Sequence, residues 1–353
     1  MPALSAYADR LLPAYSNFPR GRYVSLVLVR KTESEALFRT EGAGEDLNRE
    51  YVRAGLDDEQ VLQRVVITKR KQTAVERRTG RELLRSHGML YSKDARSKDA
   101  QGQECALNRN NACERCLDCM VYGYAVGGGG AQKSRVITDD AFSVLAAGGI
   151  TGRRTGNALY DNSTMRDPVT GQPSQAVYED PYVRPEVHFL EVETLKDVTI
   201  GELVYVLGNV LRSTRYGAVS SRQGRVHNTL AAMIFSDCEI FSNLELTQAV
   251  HDRLRASGAG GLEHPLADGA VHAAVEAATA ALLPRLVGAE PLRVDAAGCR
   301  EVTACLARVY RDGARVADLL RAVELGYSPQ QAEQARGRDE VLRLLRSAEQ
   351  ETV

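Results

Sequence analysis

The chain has 353 residues and a formal net charge of −1, a length that allows one core domain with large insertions, or two domains. No run of eighteen or more apolar residues is present, which argues against a membrane-spanning helix. The first ten residues include Asp9 and Arg10 and contain no hydrophobic signal region. We therefore expect a cytoplasmic protein that does not interact with membranes.

The charge is distributed unevenly along the chain. Residues 61–100 contain 11 basic and 4 acidic side chains, whereas residues 259–353 contain 11 basic and 14 acidic ones. A local basic patch matters more for phosphate binding than the mean charge does. The near-zero average therefore does not exclude a nucleic-acid partner, and the basic segment favours one.

The first elements predicted are a central strand and a basic helix. Tyr23–Lys31 is apolar on both faces, as in a covered strand. A short strand at residues 65–68 leads into two S/T-x-x-E patterns, which predict a helix ending near residues 87–88. Cations beside a helix N-terminus favour phosphate binding, although a solvated basic face is the alternative for any single arginine. The RNA-binding residues predicted here are Lys69, Arg70, Lys71, Arg77, Arg78 and Arg81.

The cysteines indicate a metal site. The chain has 7 of them, and an odd number in an expected cytosolic protein argues against a disulfide framework. Four thiolates as close in sequence as Cys105, Cys113, Cys116 and Cys119 can form a tetrahedral zinc site, and the metal would supply folding free energy that the polar surroundings lack. An iron–sulfur cluster is the alternative, because three cysteines two residues apart resemble a cluster-binding run. We predict structural zinc.

The glycine run Gly127–Gly130 approaches a phosphate-binding loop but departs from its pattern. Gln132 stands where the second glycine is required, and neither a convincing apolar strand before the run nor a helix after it is evident. The run therefore favours a flexible connector. A second interpretation places Lys133 and Arg135 beside an RNA strand.

Residues 157–193 have the pattern of a long hairpin. An arm at 157–160 leads to a turn-rich tip around Asp167 and Gly171, and residues 187–192 alternate between apolar and polar, as in a returning strand. The segment is too long for a simple turn. Such an arm is usually mobile or ordered by a partner, and the alternative is a surface loop without a specific role.

The segment between the next helix and strand carries a second basic group. An amphipathic helix is predicted at 201–216 and a strand at 225–235. Arginines and hydroxyls hold phosphates, and tyrosine stacks on bases, while arginines that pair with a helix C-terminus are the alternative. The candidate RNA-binding residues here are Arg212, Arg215, Tyr216, Arg222 and Arg225.

These elements have the content of an α+β fold with an RRM-like or ferredoxin-like core and large insertions. The predicted domain organisation is a core at 1–60 and 126–257, a basic helical insertion at 61–100, a zinc-binding insertion at 101–125, a thumb-like hairpin at 157–189 within the core, and a helical tail at 258–353.

Four motifs together resemble the backbone subunit of type I-D CRISPR Cascade complexes, a Cas-seven-like member of the RAMP superfamily. They are residues 79–84 (TGRELL), the cysteines at 113–119 with Tyr122-Gly123, residues 133–136 (KSRV) and residues 215–219 (RYGAV). The resemblance covers about residues 20–245, and the tail beyond Gly258 has no matching motif.

The resemblance implies a non-catalytic protein that binds a guide crRNA. Its further partners are the target nucleic acid through the guide, other copies of itself and other Cascade subunits. The hairpin corresponds to a thumb that kinks the guide at regular intervals, with Met165 as the wedge and Arg166 beside it. The cysteine cluster corresponds to the zinc-binding insertion of this subfamily.

Two other functions compete with this interpretation. Related subunits of type III complexes cleave target RNA with an aspartate after the first strand. That region here has Glu33, Glu35 and Glu41 but no aspartate before Asp46, which weighs against a metal-dependent endoribonuclease. The second alternative is an iron–sulfur redox protein.

Overall fold

The computed structural model describes residues 4–39, 47–92, 104–106, 111–127, 130–157, 159–174, 177–258 and 262–351. Several predicted features extend outside these described residues. They are the end of the basic insertion at 93–100, residues 128–129 of the glycine run, Glu41, and residues 259–261 before the tail.

The described secondary structure is mixed α and β. The strands are β1 (Tyr23–Thr32), β2 (Arg49–Arg53), β3 (Val61–Ile67), β4 (Tyr124–Val126), β5 (Gly130–Gln132), β6 (Val136–Ile137), β7 (Ala141–Ser143), β8 (Thr151–Asn157), β9 (Val177–Val183), β10 (His188–Lys196), β11 (Val226–Ser236) and β12 (Leu292–Val294). The helices are α1 (Lys69–Ser86), α2 (Leu117–Tyr122), α3 (Ala147–Ile150), α4 (Ile200–Arg212), α5 (Asn243–Ala256), α6 (Asp268–Leu282), α7 (Ala296–Arg311), α8 (Gly313–Leu325) and α9 (Gln331–Gln350). The α+β class predicted from the sequence is confirmed.

The main sheet has the strand order β12-β11-β1-β10-β7-β3-β2, and β6 also pairs with β10. Its neighbouring strands are antiparallel, with Val27 of β1 opposite Val192 of β10 and Ala232 of β11. Residues 24–30 of β1 are buried on both faces, because helices cover the sheet on both sides. This confirms the prediction of a covered central strand.

The two faces of the sheet carry different helices. On one side Leu26 and Leu28 belong to the apolar core that includes α4 and helices α7–α9, and on the other Val27 packs with α5 and α6. A Cβ at Gly208 of α4 would lie 2.1 Å from the Tyr310 hydroxyl of α7, so glycine permits this close approach. The predicted helical tail therefore completes both helical layers of the core. Among the described helices none is long and apolar enough to cross a membrane.

Helix α1 begins earlier than the sequence patterns indicated. Lys69, Arg70 and Lys71 form its first turn instead of preceding it, and the Lys69 backbone N–H donates to Asp140 Oδ1 at 2.8 Å. The two S/T-x-x-E patterns lie inside the helix, where the Thr79 hydroxyl donates to the carbonyl of the preceding turn at 3.2 Å. The neighbouring Glu76 is buried. Helix α1 thus lies against the sheet and α4. Asp140 accepts a hydrogen bond from the first free backbone N–H at its N-terminus.

The predicted hairpin exists with different bounds. Strands β8 and β9 pair from Thr151 opposite Val183 to Asn157 opposite Val177. Residues 188–192 of the supposed returning strand instead form the buried first half of β10. The alternation of apolar and polar residues imitates a half-exposed strand, but Glu191, like Glu193 farther along β10, is fully buried. The hairpin therefore spans 151–183.

Candidate metal centre and nucleic-acid interface

The four cysteines predicted to bind a metal lie together and are buried. The Sγ atom of Cys105 lies 3.5 Å from that of Cys119 and 3.9 Å from that of Cys116, and the Cys113 and Cys119 sulfurs are 4.0 Å apart. Disulfide sulfurs are only about 2 Å apart, so these are separate thiols. All four sulfurs lie within 4.8 Å of one another. This cysteine cluster could bind a metal ion.

The geometry fits one tetrahedral ion. Metal–sulfur bonds of about 2.3 Å place tetrahedral ligands about 3.8 Å apart, close to the spacing found here. The backbone N–H groups of Cys113 and Cys116 donate to the sulfurs of Cys105 and Cys113, each at 3.3 Å. Hydrogen bonds from the other three thiols, Cys113 foremost, lower the pKa of the Cys105 thiol, whereas hydrogen bonding with Cys105 raises the pKa of the Cys116 and Cys119 thiols. The spacing of the sulfurs leaves room for a single ion.

Asp118 joins the cysteine cluster to α1. Its fully buried carboxylate accepts hydrogen bonds from Arg77 Nε at 2.9 Å and from Arg81 Nη1 at 2.7 Å. Arg81 also donates to the Cys105 carbonyl, and its Nη1 lies 3.6 Å from Cys105 Sγ. Four thiolates around a divalent ion would carry a net charge of −2, which the adjacent Arg81 guanidinium would reduce. Two arginines predicted to bind RNA thus support the segment that carries the cysteine cluster.

A second buried group of charges lies between the sheet and α1. Arg30 of β1 is fully buried, and its Nη1 donates to the Tyr216 hydroxyl at 2.9 Å and to Asn228 Oδ1 at 2.7 Å. Its Nε donates to Glu191 Oε2 at 2.5 Å, and its Nη2 donates to Glu76 Oε1 at 2.6 Å. We call these residues, with the adjacent Glu193, the ionic centre. It connects β1, α1, β10, β11 and the loop after α4.

The ionic centre has three carboxyl groups for one guanidinium. Oxygens of Glu76, Glu191 and Glu193 lie within 4.8 Å of one another. Burial raises the pKa of Glu193 far above its usual range, and it raises that of Glu191 to about 7. Desolvation therefore favours the protonated form of Glu193, which reduces the repulsion among the carboxyl groups.

Most of the predicted RNA-binding side chains are at the surface. Lys71, Arg77 and Met165 are half-buried. The exposed ones are Lys69, Arg70, Arg78, Lys133, Arg166, Arg212, Arg215, Arg222 and Arg225. Arg166 Nη1 donates to the Gly171 carbonyl at 3.0 Å in the hairpin tip. The guanidinium of Arg212 lies 5.4 Å from the Tyr310 ring centroid.

Three predicted RNA contacts have their functional groups inside the protein. Arg81 supports the cysteine cluster, and Tyr216 belongs to the ionic centre and is fully buried. Arg135 is 8% exposed, and its Nη1 donates to Glu202 Oε2 at 2.9 Å. Almost no surface of these side chains is available to a ligand. We therefore exclude them from the candidate interface.

A cleft separates the base of the hairpin from the loop after α4. It has a volume of about 370 Å³ and is lined by Arg154, Tyr182 and Arg222, with Glu35 and Asp180 among its other lining residues. Arg154 lies 5.6 Å from the Tyr182 ring centroid and pairs with Glu35. The cleft thus combines arginines and an aromatic ring with two carboxylates, beside the exposed arginines of the loop.

The glutamates considered for nuclease chemistry are held by arginines. Arg225 Nε donates to Glu33 Oε2 at 2.6 Å, and this hydrogen bond lowers the Glu33 pKa. Glu35 pairs with Arg154. Among the described residues, neither glutamate belongs to a group of three that could hold a metal ion. These contacts favour a structural role for both.

The sequence interpretation missed three sets of residues. Asp118 had a signal, since it lies between two of the clustered cysteines. No sequence signal marked Arg30, because it lies beside Lys31 near the end of a largely apolar strand and its partners are distant in sequence. No strand or helix was predicted between residues 33 and 60, yet β2 presents Arg49, Tyr51 and Arg53 on one face.

Comparisons with known proteins come from both sequence and structure. Residues 10–318 match the sequence profile of the Csc2 CRISPR family, which extends the similarity well into the tail. "Crystal structure of Thermofilum pendens Csc2" aligns with a TM-score of 0.59 and 18% identity over 97% of this chain and 95% of that chain. A chain of "CRISPR RNA-guided surveillance complex, pre-nicking" aligns with a TM-score of 0.49 and 9% identity over 81% of this chain and 99% of that chain. No curated protein matches.

Proposed function

The chain belongs to the Csc2 CRISPR family, and on this premise we propose that it is a non-catalytic guide-RNA-binding backbone subunit of a type I-D Cascade. As a Csc2-type subunit it is homologous to backbone proteins of CRISPR surveillance complexes. In the proposed complex several copies lie along the crRNA, contact other Cascade subunits and present the guide to target nucleic acid. The observation that carries the proposal is the family match over residues 10–318.

The strand order supports an RRM-like core. Along the chain, β1, α1, the β6 and β7 region, β10, α4 and β11 follow one another as β-α-β-β-α-β. In the sheet β1 and β10 lie between β11 and β7, which is the ferredoxin-like order. Both helices lie on one face, and a Cβ at Gly80 of α1 would be 2.4 Å from the Tyr205 hydroxyl of α4. This assignment makes α1 a core helix of that fold.

The proposed RNA interface uses the exposed basic residues. The first turn of α1 contributes Lys69 and Arg70, and the loop after α4 contributes Arg215, Arg222 and Arg225. Arginines position phosphates without reading sequence, so binding is sequence-independent. The 151–183 hairpin acts as the thumb.

Structural zinc is the proposed cofactor of the cysteine cluster. Its sulfur spacing suits one tetrahedral ion, whereas a multi-iron cluster would need the thiolates farther apart to accommodate several ions. Zinc bound there would supply folding free energy to the insertion. Elemental analysis of gently purified protein should find one zinc per chain, and iron or no metal would refute the assignment.

Salt dependence tests the RNA contacts directly. Replacing Lys69, Arg70 and Lys71 with glutamine should reduce the slope of log K against log salt by about 2 for single-stranded RNA, at about 0.7 per lost phosphate contact. A matched control replaces three exposed arginines of the tail helices, Arg300, Arg336 and Arg346. An unchanged slope in the first variant would show that this turn does not touch phosphate.

Electron micrographs test the assembly, because protein mixed with guide RNA should form strings of subunits. Deleting residues 162–175 should leave the monomer folded and retain much of the affinity. It should abolish the regular nuclease-protection pattern along the guide. Wild-type strings with an unchanged footprint would instead make the hairpin a surface loop without a role in assembly.

Incubation with magnesium and guide-complementary RNA separates the backbone role from an endoribonuclease. We expect the RNA to remain intact. Cleavage that depends on Glu33 or Glu35 would overturn the non-catalytic assignment, since both glutamates follow β1, where the related nucleases carry their aspartate.

A further inference from the structure

The ribbon formed by β2 and β3 presents an unusual surface at the edge of the main sheet. Arg49, Tyr51 and Arg53 alternate along β2 and therefore share one face. Pairing places Gln63 opposite Tyr51 and Val61 opposite Arg53 on the same face. Tyr51 is 73% exposed and Val61 is 63% exposed. We call this surface the β2 face.

The ribbon is held firmly against the protein. Asp252 Oδ2 of α5 accepts hydrogen bonds from the backbone N–H groups of Leu56 at 2.7 Å and of Asp57 at 3.0 Å in the connecting turn. On the opposite face Arg64 is fully buried, and its Nη1 donates to the Ser143 carbonyl at 2.7 Å. The β2 face is therefore displayed by a fixed scaffold.

The side chains of the β2 face lack partners within the described part of the chain. Neither arginine has an ion pair there; Arg53 is exposed, whereas Arg49 is half-buried and its buried Nε has no hydrogen-bond partner. One acidic residue of the turn, Asp58, is directed elsewhere, since it binds His251 at 3.3 Å and pairs with Arg255. The surface thus combines an exposed aromatic ring with two guanidiniums that have no ion pair among the described residues.

We propose that the β2 face contacts a single-stranded nucleic acid, with Tyr51 stacking on a base and the two flanking arginines binding phosphates. Alternate strand residues lie about 7 Å apart, so a cation stands on either side of the ring along the strand. Aromatic stacking combined with backbone cations is how proteins hold single strands without sequence preference. The inference rests on the proposed function, because the guide or its target supplies the strand.

A charged polymer suits this face better than a second copy of the chain does. Of the two valines that pair with the arginines on this face, Val65 is buried and only Val61 is exposed, whereas stable protein interfaces need a well-packed apolar centre. The two guanidiniums would remain unneutralised against an apolar partner, but phosphates would neutralise both.

The chain has no tryptophan, which permits a direct test. Tyr51→Trp places a single reporter on the β2 face, and Phe18→Trp places a control reporter at a residue that is 76% exposed. Oligouridylate and oligothymidylate are titrated into each variant. We expect fluorescence quenching in Tyr51→Trp and little change in Phe18→Trp. Stronger quenching by the RNA oligomer assigns the guide, and stronger quenching by the DNA oligomer assigns the target strand.

Affinity measurements complete the test. By fluorescence anisotropy, Tyr51→Ala should weaken oligonucleotide binding roughly tenfold, and Tyr51→Trp should restore it. If wild-type protein binds the oligomers but Tyr51→Trp is not quenched and Tyr51→Ala binds normally, the inference fails while the proposed function stands. If wild-type protein binds neither oligomer, both fail. If the fluorescence of Tyr51→Trp is quenched as the protein concentration rises in the absence of nucleic acid, the β2 face is a contact between copies of the chain and the inference is overturned.

Discussion

The cysteine cluster and the ionic centre are both buried and both bonded to α1, but they are assembled in opposite ways. The cluster takes its four sulfurs from residues 105–119, a single short segment. The ionic centre joins Arg30, Glu76 and Glu191 with residues of β11 and the loop after α4. We infer that losing the cluster should loosen one insertion, whereas losing the ionic centre should weaken the whole sheet.

The largest effect is expected from Arg30→Met. It leaves buried carboxyl groups without their cation, and removing one partner of a buried ion pair costs about 3–5 kcal/mol. Urea unfolding followed by circular dichroism should show this decrease in the free energy of unfolding. Arg346→Met, at an exposed site in α9, is the control. If Arg30→Met unfolds at the same urea concentration as wild type, the ionic centre does not hold the sheet together.

Cys116→Ser should have a local effect. It removes one of four ligands, so metal content should fall and amide hydrogen exchange should accelerate within residues 111–127. The amides of β1 and β10 should keep most of their protection, because their core does not depend on the ion. Cys238→Ser changes a half-buried cysteine outside the cluster and should alter neither measurement. Equal loss of protection in β1 would contradict the distinction between the two regions.

Asp118→Asn sharpens the comparison by weakening the link between the cluster and α1. Partners that orient metal ligands typically contribute 10–100-fold in metal affinity, so the variant should release metal to a competing chelator at correspondingly lower concentrations. Its fold should persist, since all four sulfurs remain. Asp318→Asn, on the exposed side of α8, controls for a lost charge. Unchanged retention would show that Asp118 and its arginines only pack the insertion.

The smallest effect concerns pH. The pKa of Glu191 is raised to about 7 in the folded protein, so its contribution is fully present below its unfolded pKa and is lost as pH rises through about 7. The pKa values of His188, His251, His264 and His272 are lowered and act with the opposite sign. The histidines contribute equally to wild type and to Glu191→Gln, so their effect cancels in the difference between the two free energies of unfolding. Relative to the variant, wild type should lose free energy of unfolding as the pH rises from about 5 to 8. A difference that does not change with pH would show that Glu191 stays ionised.

The errors in the predicted elements have a common origin. A glutamate in an alternating strand normally faces water, so residues 187–192 were assigned to the hairpin instead of the centre of the sheet. Likewise Glu76 completed an apparent capping pattern, although it points into the core toward Arg30. In both cases a buried cation from a distant strand pairs with the glutamate, so a residue that usually faces water lies in the core instead.

The sequence by itself determined the features whose parts are close along the chain. The cysteine spacing placed four sulfurs within reach of one ion, and the apolar runs located the central strands, because local geometry limits where such residues can lie. The family motifs pointed to the CRISPR assignment, which the profile match over residues 10–318 confirmed.

Only the tertiary structure decided which charged residues remain available for binding. Arg70 and Arg81 belong to the same basic helix, yet the first is exposed and the second is buried against Asp118. The β2 face likewise emerged only when β2 paired with β3. Burial of a charge depends on a compensating partner, and folding brings that partner from a part of the chain that a local pattern does not include.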